Sequence, residues 1–432
     1  MINLLEQELQ THDVVCRFCG QKTFTVIDLG RLPLANSLST TCDAIAPKYP
    51  TSLQVCSACS TAQLAHCADK EKLYLDYLYV TPESDMLTQH YADIIHFLQT
   101  KNYLKTTHNI LEIGSNIGHF LKFLAPNVQK ILGFDPARNI ANMARANGIP
   151  TICDFFDAKN AQHVAKQFGK QDIVFARHCF AHNEKPWLML EGVTEVLQEG
   201  GLFIIENAYF PDTIEKREFD QIYHEHMYYY NVRAIDLITQ KYGFELIDLL
   251  ASDIHGGSML YVVQLKGGKR SVQPIVKKHS EHEKNMHQPT FYASFTQTIE
   301  HNRHQLTSLL RKFKRQGKTV HAYGASAKST TLLNYYNLHK RKIPYVVDST
   351  PAKQGKHIPV TNNLIISEED AAINVPDYYL LTIWNYQDEI IKKVRESGNQ
   401  YSGFIIPHPQ LKIIEGENTS RPQHSRIMPH RK

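Results

Sequence analysis

The chain has 432 residues, too many for one hydrophobic core, so two or three domains are expected. Hydrophobic residues make up 42% of it, and its apolar runs fall far short of the roughly 20 residues a membrane span needs, which excludes a spanning protein at the level of sequence. A formal charge of +4, with Lys and Arg scattered and modest clusters only at Lys266–Arg270 and Arg311–Arg315, gives no nucleic-acid footprint.

The first residues, Met1-Ile-Asn-Leu-Leu-Glu-Gln-Glu, carry acids where a signal peptide carries basic residues, so a cytoplasmic location is expected. In that reducing setting eight cysteines read as metal ligands or buried thiols rather than as a disulfide framework. Cys16-Arg-Phe-Cys19-Gly20 and Cys56-Ser-Ala-Cys59 are two C-x-x-C knuckles that bring four thiolates within reach of one tetrahedral zinc, with Gly20 making the tight turn. All four positions are filled by protein, so this Zn2+ is expected to be structural; the competing reading is four unrelated buried thiols. Residues 1–72 form the zinc-binding module on this reading. The stretch Tyr74–Thr81 alternates aromatic and polar residues, and Tyr77 and Tyr79 either line a pocket or pack the module onto the next domain. A helical pattern through Ile94, Ile95, Leu98 and Leu104 follows.

Asn109-Ile-Leu-Glu-Ile-Gly114 is an apolar strand ending in a glycine turn, a helix starts near Gly118, and Ile131-Leu-Gly-Phe-Asp135-Pro136 is a second strand ending in a carboxylate. A dinucleotide fold needs glycine at the second place of G-x-G-x-x-G so that backbone can approach a pyrophosphate, and here that place holds Asn116. Glu112-x-Gly114-x-x-x-Gly118 resembles the first motif of class I S-adenosyl-L-methionine (SAM) methyltransferases, with Asp135 placed to accept both ribose hydroxyls. A third strand is expected in Ile149–Phe156, with Phe155 placed to flank adenine, a fourth in Gln171–His178, and a fifth in Gly200–Asn207, preceded by a helix ending at the Gly200–Gly201 pair. Strands alternating with helices imply a parallel, doubly wound sheet whose ligand lies beyond the strand C-termini, where Gly114, Asn116, Asp135, Phe155 and His178 all fall. This domain is expected to span 73–265.

Phe219-Asp-Gln-Ile-Tyr223-His224-Glu225-His226 places phenol, imidazole and carboxylate groups within four residues, the groups that general acid–base chemistry uses. The turn Ile254-His255-Gly256-Gly-Ser258 allows a ligand close to backbone. Residues 266–290 read as a loop or exposed helix start, and a long helix is expected over Phe295–Arg315. The opening pattern then recurs, with Val320–Gly324, a helix, and a strand ending at Asp348. A second Rossmann-like domain over 266–414 is inferred. Ser326, Lys328 and Ser329 at its helix N-terminus suit a phosphate group; the alternative is a domain that only buttresses the first. Residues 415–432 are expected to be a disordered tail.

Taken together, these motifs resemble the SAM-dependent nucleotide-sugar C-methyltransferases, α/β enzymes in which a class I methyltransferase domain is flanked by a zinc module and a C-terminal Rossmann-like domain. The resemblance covers nearly the whole chain, from the four cysteines and Tyr77-Leu-Tyr79, Met86 and His90 through Tyr-His-Glu-His and His255-Gly-Gly-Ser258 to Gly324-Ala-Ser-Ala-Lys328, Val346–Gly355 and Trp384-Asn385. Two departures stand out: Val80-Thr-Pro-Glu-Ser84 lacks the usual serine pair, and Asn183-Glu-Lys-Pro follows His182.

The resemblance implies a C-methyltransferase acting on a 4-keto-6-deoxysugar linked to a nucleoside diphosphate such as dTDP, with C3 the expected carbon. It implies His226 as base, Glu225 as a tuning group, and Tyr223, Tyr79 and His182 around the sugar and its enolate. Glu112, Gly114, Ser115, Asn116, Gly118, Asp135, Pro136, Phe155 and His178 would hold SAM; Tyr77, His255, Gly256, Ser326, Lys328 and Asp348 would hold substrate. No nucleic acid or membrane partner is expected, and the protein would be a monomer or homodimer. Rival readings are an O- or N-methyltransferase, which needs no C–H base, a non-enzymatic zinc-bearing scaffold, and an NAD(P)-dependent oxidoreductase, which Asn116 disfavours.

Overall fold

The computed structural model describes residues 14–74, 80–81 and 84–417. Tyr77 and Tyr79 therefore lie outside the described residues, as does the tail beyond 417, whereas Glu415 still accepts a hydrogen bond from Tyr378 at 2.6 Å. Three sheets organise the described residues.

The central sheet has seven strands in the order Phe244–Ser252, Ser258–Leu265, Leu197–Ala208, Gln171–Arg177, Asn109–Ile113, Lys130–Phe134, Thr151–Ile152. Only Ser258–Leu265 runs against its neighbours. Ile110, Leu111 and Ile113, like Ile173, Val174 and Phe175, are fully or almost fully buried, as strands covered by helices on both faces must be. From Asn109–Ile113 the chain first builds outward to Thr151–Ile152, then returns to add Gln171–Arg177 on the other side. The crevice opened by this reversal lies beyond Ile113 and Arg177, between Gly114 and His178, where a doubly wound sheet holds its ligand.

Two expected boundaries move. The helix before the fifth strand ends at Val196, not at the glycine pair, because Leu197 is already extended and paired with Gln171 in the sheet. The third strand shrinks to Thr151–Ile152, since only these residues pair with Gly133 and Phe134. In the stretch read as a loop or exposed helix start, Pro274 at the first helical position opens a helix over Pro274–His282.

The C-terminal sheet runs Leu364–Ile366, Tyr345–Val347, Val320–Tyr323, Tyr378–Leu381, Gly403–Ile406, Lys412–Ile414, with all but the last strand parallel. Its reversal falls between Val320–Tyr323 and Tyr378–Leu381, at Gly324 and Thr382. The long helix Ala293–Arg315 packs Phe295, Ile299, Leu306, Leu310 and Phe313 inward.

The third sheet is four-stranded and antiparallel: Thr23–Pro33, Lys48–Cys56, Ala62–Leu64 and Tyr228–Tyr229. Its last strand is contributed from far along the chain, immediately after Tyr223–His226. The N-terminal cysteine module and the candidate catalytic segment therefore share one sheet. No described helix is long and apolar enough to cross a membrane.

Candidate active site

At the central sheet's reversal the glycine loop is pinned by its own carboxylate. Asp135 accepts from the Asn116 and Ala137 backbone N–H groups, each at 3.0 Å, and burial pushes its carboxyl up to about 6 against these two bonds. Gly114 has φ +67, and an added Cβ would lie 2.6 Å from Cys179 Cβ, so only glycine fits. The Asn116 side chain accepts from Thr81 and Ile117 N–H, each at 3.0 Å, closing the loop where a dinucleotide fold would leave room for pyrophosphate. Ser115 is buried, and Phe155 stands half-buried past the third strand.

Glu112 does not face open space. It is buried and accepts from Arg177 Nε at 2.9 Å, while burial pushes its carboxyl up to about 7. Arg177 lies over the Phe120 ring at 3.9 Å and reaches Glu206 at 3.6 Å. Burial alone would raise Glu206, but His178 beside it, the hydrogen bond with His90 at 2.5 Å and Arg177 hold it well below the usual carboxylate range. His178, with φ +50, sits 3.6 Å from Glu206 and meets His255 edge to face at 4.8 Å.

His226 stands at the centre of the next layer. Its Nδ1 is 3.0 Å from the Gln221 carbonyl, which can only accept, so Nδ1 carries the proton and Nε2 presents its lone pair to the Tyr223 hydroxyl at 2.8 Å. The ring stacks on His182 at 5.2 Å, and His182 in turn stacks on Tyr74 at 5.8 Å. Burial, His182 nearby and the Lys328 charge hold His226 well below the ordinary imidazole value, so it is neutral at physiological pH. The Glu225 carboxylate accepts from Asn36 at 2.6 Å, and its backbone carbonyl accepts from Tyr74 at 3.2 Å. His224 is buried against the cysteine module, 3.0 Å from Thr51 Oγ1.

The C-terminal sheet's reversal faces this layer. Lys328 Nζ is 3.3 Å from the His255 carbonyl and 3.8 Å from Glu218; Tyr386 Oη is 3.3 Å from His255 Nδ1; Trp384 Nε1 donates to Asp220 at 2.9 Å. The Ser326 hydroxyl caps the following helix through Ser329 N–H at 3.3 Å. Asp348 accepts from Ala325 N–H at 2.7 Å and pairs with Lys353 at 3.5 Å, repeating the role of Asp135 in the first sheet. The structure thus brings His178, His255 and Lys328 together by direct contact, and Tyr223, His226 and His182 likewise, with the Lys328 and His178 charges felt at His226, in the cleft between the two sheets' reversals. Ser326 and Asp348 are set one layer back.

Sequence reasoning missed Glu218, Asp220, Tyr386, Arg177 and Glu206. Arg177 and Glu206 each end an apolar run, a signal for buried charge that must be paired, whereas Glu218 and Asp220 sit in the polar stretch Lys216–Gln221 and carry no such signal. Gly256, at φ +98, lets the His255 turn pass over Glu218: a Cβ there would come within 2.1 Å of Glu218 Oε1. Gly256→Ala is expected to cost about 1–3 kcal/mol through a strained backbone and a displaced carboxylate, read as a lowered denaturant midpoint with reduced activity.

Burial holds several histidines below the ordinary 6.5: His178 at about 4, His182 at about 3, His224 at about 4 and His408 at about 3. Between these values and 6.5 the unfolded chain binds more protons at these histidines than the folded one, so their contribution to stability is full above about 6.5 and is lost as pH falls toward 3. The raised carboxyls of Glu112, Asp135 and Asp220 offset part of it, and the larger number of lowered histidines sets the net direction. A denaturation series from pH 7 to pH 4 is expected to show a steep fall in stability; a flat series would contradict it.

Behind the cleft, the Cys16, Cys19, Cys56 and Cys59 sulfurs all lie within 4.8 Å of one another, with Cys19–Cys56 at 3.4 Å, Cys19–Cys59 at 3.6 Å and Cys16–Cys59 at 3.7 Å. Tetrahedral zinc with bonds of about 2.3 Å sets its sulfurs about 3.8 Å apart, so the set fits. Burial pushes the Cys19 thiol up to about 11, and the cluster would keep its protons without a cation to compensate.

Family models match along the chain in the same order: a zinc binding domain over residues 16–74, a methyltransferase domain over 85–249, and a C-methyltransferase C-terminal domain over 253–409. C-methyltransferase NovU of Streptomyces niveus is 32% identical over 409 residues, covering 94% of this chain and 97% of NovU. Among solved structures, magnesium protoporphyrin IX methyltransferase (ChlM) from Synechocystis PCC 6803 is 12% identical, covering 44% of this chain and 91% of its own, with a TM-score of 0.33. N-methyltransferase NodS from Bradyrhizobium japonicum is also 12% identical, over 43% of this chain and 98% of its own, with a TM-score of 0.32. With its three family models in register and a C-methyltransferase matched almost end to end, the chain belongs to the C-methyltransferase family and is a SAM-dependent C-methyltransferase with an N-terminal zinc-binding domain.

Proposed function

We propose that the protein methylates a carbon next to the ketone of a nucleotide-linked 4-keto-6-deoxysugar, C3 being the expected position and dTDP the expected carrier. The observation that carries this reading is His226: neutral, its Nδ1–H fixed by the Gln221 carbonyl, its basic Nε2 turned to Tyr223. O- and N-methylation need no carbon base, whereas a C–H beside a ketone must lose its proton first.

His226 Nε2 would take that proton, and the electron pair would move onto the ketone oxygen as the enolate. Tyr223, whose hydroxyl already sits at Nε2, would turn its O–H to that oxygen, with His182 and Tyr79 completing the donor set. SAM, when bound, supplies an electrophilic methyl group at its sulfonium. Gly114, Ser115, Asn116 and Gly118 would form the floor for it, Asp135 and Pro136 would take the ribose end, and Phe155 would flank the base. Glu112 would act from behind, by holding Arg177. His178 and His255, edge to face, would separate the two ligands.

Lys328 has two acceptors on the catalytic half and would offer its remaining N–H to the diphosphate, with Gly256 and Tyr77 along the sugar. Ser326 and Asp348 would act by shaping the turn that carries Lys328. The zinc-binding module, the SAM domain and the C-terminal substrate domain would divide near 72 and 265. Among the described residues, the strand Tyr228–Tyr229 crosses the first division by pairing with Ala62 and Gln63.

The test is to incubate the enzyme with 13C-methyl SAM and a panel of nucleoside-diphosphate 4-keto sugars, then read the product by NMR. The reading expects the labelled methyl to couple directly to a ring carbon. A methyl carried on oxygen or nitrogen would replace it with the O- or N-methyltransferase reading.

A further inference from the structure

On the outer surface of the C-terminal half, away from the cleft, the helix Ala293–Arg315 and the turn after Tyr335 enclose a hollow of about 310 Å³. Three cations converge on it. Arg303 and Arg311 come from one helix face, eight residues apart, and Lys342 comes from the facing turn. Two of the three are held in place. Arg303 lies over the Tyr335 ring at 4.9 Å, and Lys342 Nζ donates to the Asn337 carbonyl at 2.7 Å.

The charge is largely unopposed. Glu300 lies 3.5 Å from Arg303, but among the described residues no carboxylate pairs with Arg311 or Lys342. Lys342 is accordingly held below its ordinary value by partial burial and by Arg311 and Arg303. Like charges crowded into a concave site cost stability unless an anion relieves them. Thr307 and Ser308 add hydroxyl donors on the same helix face, which completes the donor set that phosphate oxygens take. A volume of this order accommodates a phosphate or diphosphate with a small attached group, and is too small for an extended polymer. The floor is Tyr336, buried and stacked on Phe219 at 5.1 Å, the residue that opens the segment carrying Tyr223 and His226.

We propose that this hollow is a second anion site, one that takes the phosphate or diphosphate group of a small molecule. It is separate from the Lys328 cleft and does not depend on the reading of that cleft.

The test uses the full-length protein and inorganic pyrophosphate as probe, followed by calorimetric titration at constant ionic strength. Lys328→Gln removes the ammonium of the cleft, and Arg311→Gln/Lys342→Gln removes two cations of the hollow. Saturable binding that survives Lys328→Gln and weakens at least tenfold in the double variant is expected, with the unliganded melting temperature of that variant unchanged or raised. Binding abolished by Lys328→Gln and unaffected by the double variant would assign all pyrophosphate to the cleft and overturn the proposal. So would an effect that sodium chloride reproduces without saturation, or binding only by a long polyanion such as heparin.

Discussion

His226→Gln is expected to lower kcat by about 10²–10⁴-fold while SAM still binds, because a positioned base contributes that much and the glutamine amide has no basic nitrogen. The ring is fixed on both sides, by the Gln221 carbonyl at 3.0 Å and Tyr223 at 2.8 Å, so little of the loss should come from disorder. Burial, His182 and Lys328 depress its protonation. The acid limb of kcat/KM should therefore fall below the ordinary histidine value, with activity flat through neutral pH and lost only on acidification. Titration of activity between pH 4 and 8 in wild type and Lys328→Gln checks the sign: removing the ammonium should move the acid limb upward.

Removing zinc is expected to abolish activity although the four sulfurs take no part in the chemistry. Structural zinc in small modules carries about 10–16 kcal/mol of apparent folding energy. Here the sheet beside the sulfur cluster includes Tyr228–Tyr229, and Met227 N–H, one residue past His226, binds the Ala181 carbonyl at 2.9 Å next to His182. Losing the cysteine cluster would release the strand that ends the catalytic segment. Cys56→Ser, or chelation under mild denaturation, should reduce methyl transfer by at least 10²-fold and lower the melting temperature in parallel. Full activity in a verified zinc-free protein would show that the module is dispensable to the site.

Much of this was legible in the sequence, and the exceptions have a common cause. The cysteine knuckles, the Glu112–Gly118 turn and the carboxylates Asp135 and Asp348 are local patterns, fixed by spacing along the chain. The Tyr228–Tyr229 strand was not legible, because a two-residue strand has no periodicity and exists only through its pairing with Ala62 and Gln63. The Nδ1 partner of His226 is hidden for a related reason: it is a backbone carbonyl, Gln221, which no side-chain motif announces. Glu225 is expected from the resemblance as a tuning group, yet its side chain reaches Asn36, almost two hundred residues earlier. Lys328 was recognised as a phosphate-binding type, but its contacts with Glu218 and the His255 carbonyl come from the packing of two sheets.

Proton exchange separates base chemistry from methyl transfer, so the most direct measurement needs no methyl donor. Wild-type protein and His226→Gln would be incubated with a nucleoside-diphosphate 4-keto-6-deoxysugar in deuterated water, and the sugar followed by mass spectrometry and NMR. Uptake of one deuterium on the carbon beside the ketone with wild type, and none above background with His226→Gln, is the expected result. Equal exchange in both proteins, or none in wild type under conditions where methyl transfer proceeds, would contradict carbanion formation by His226.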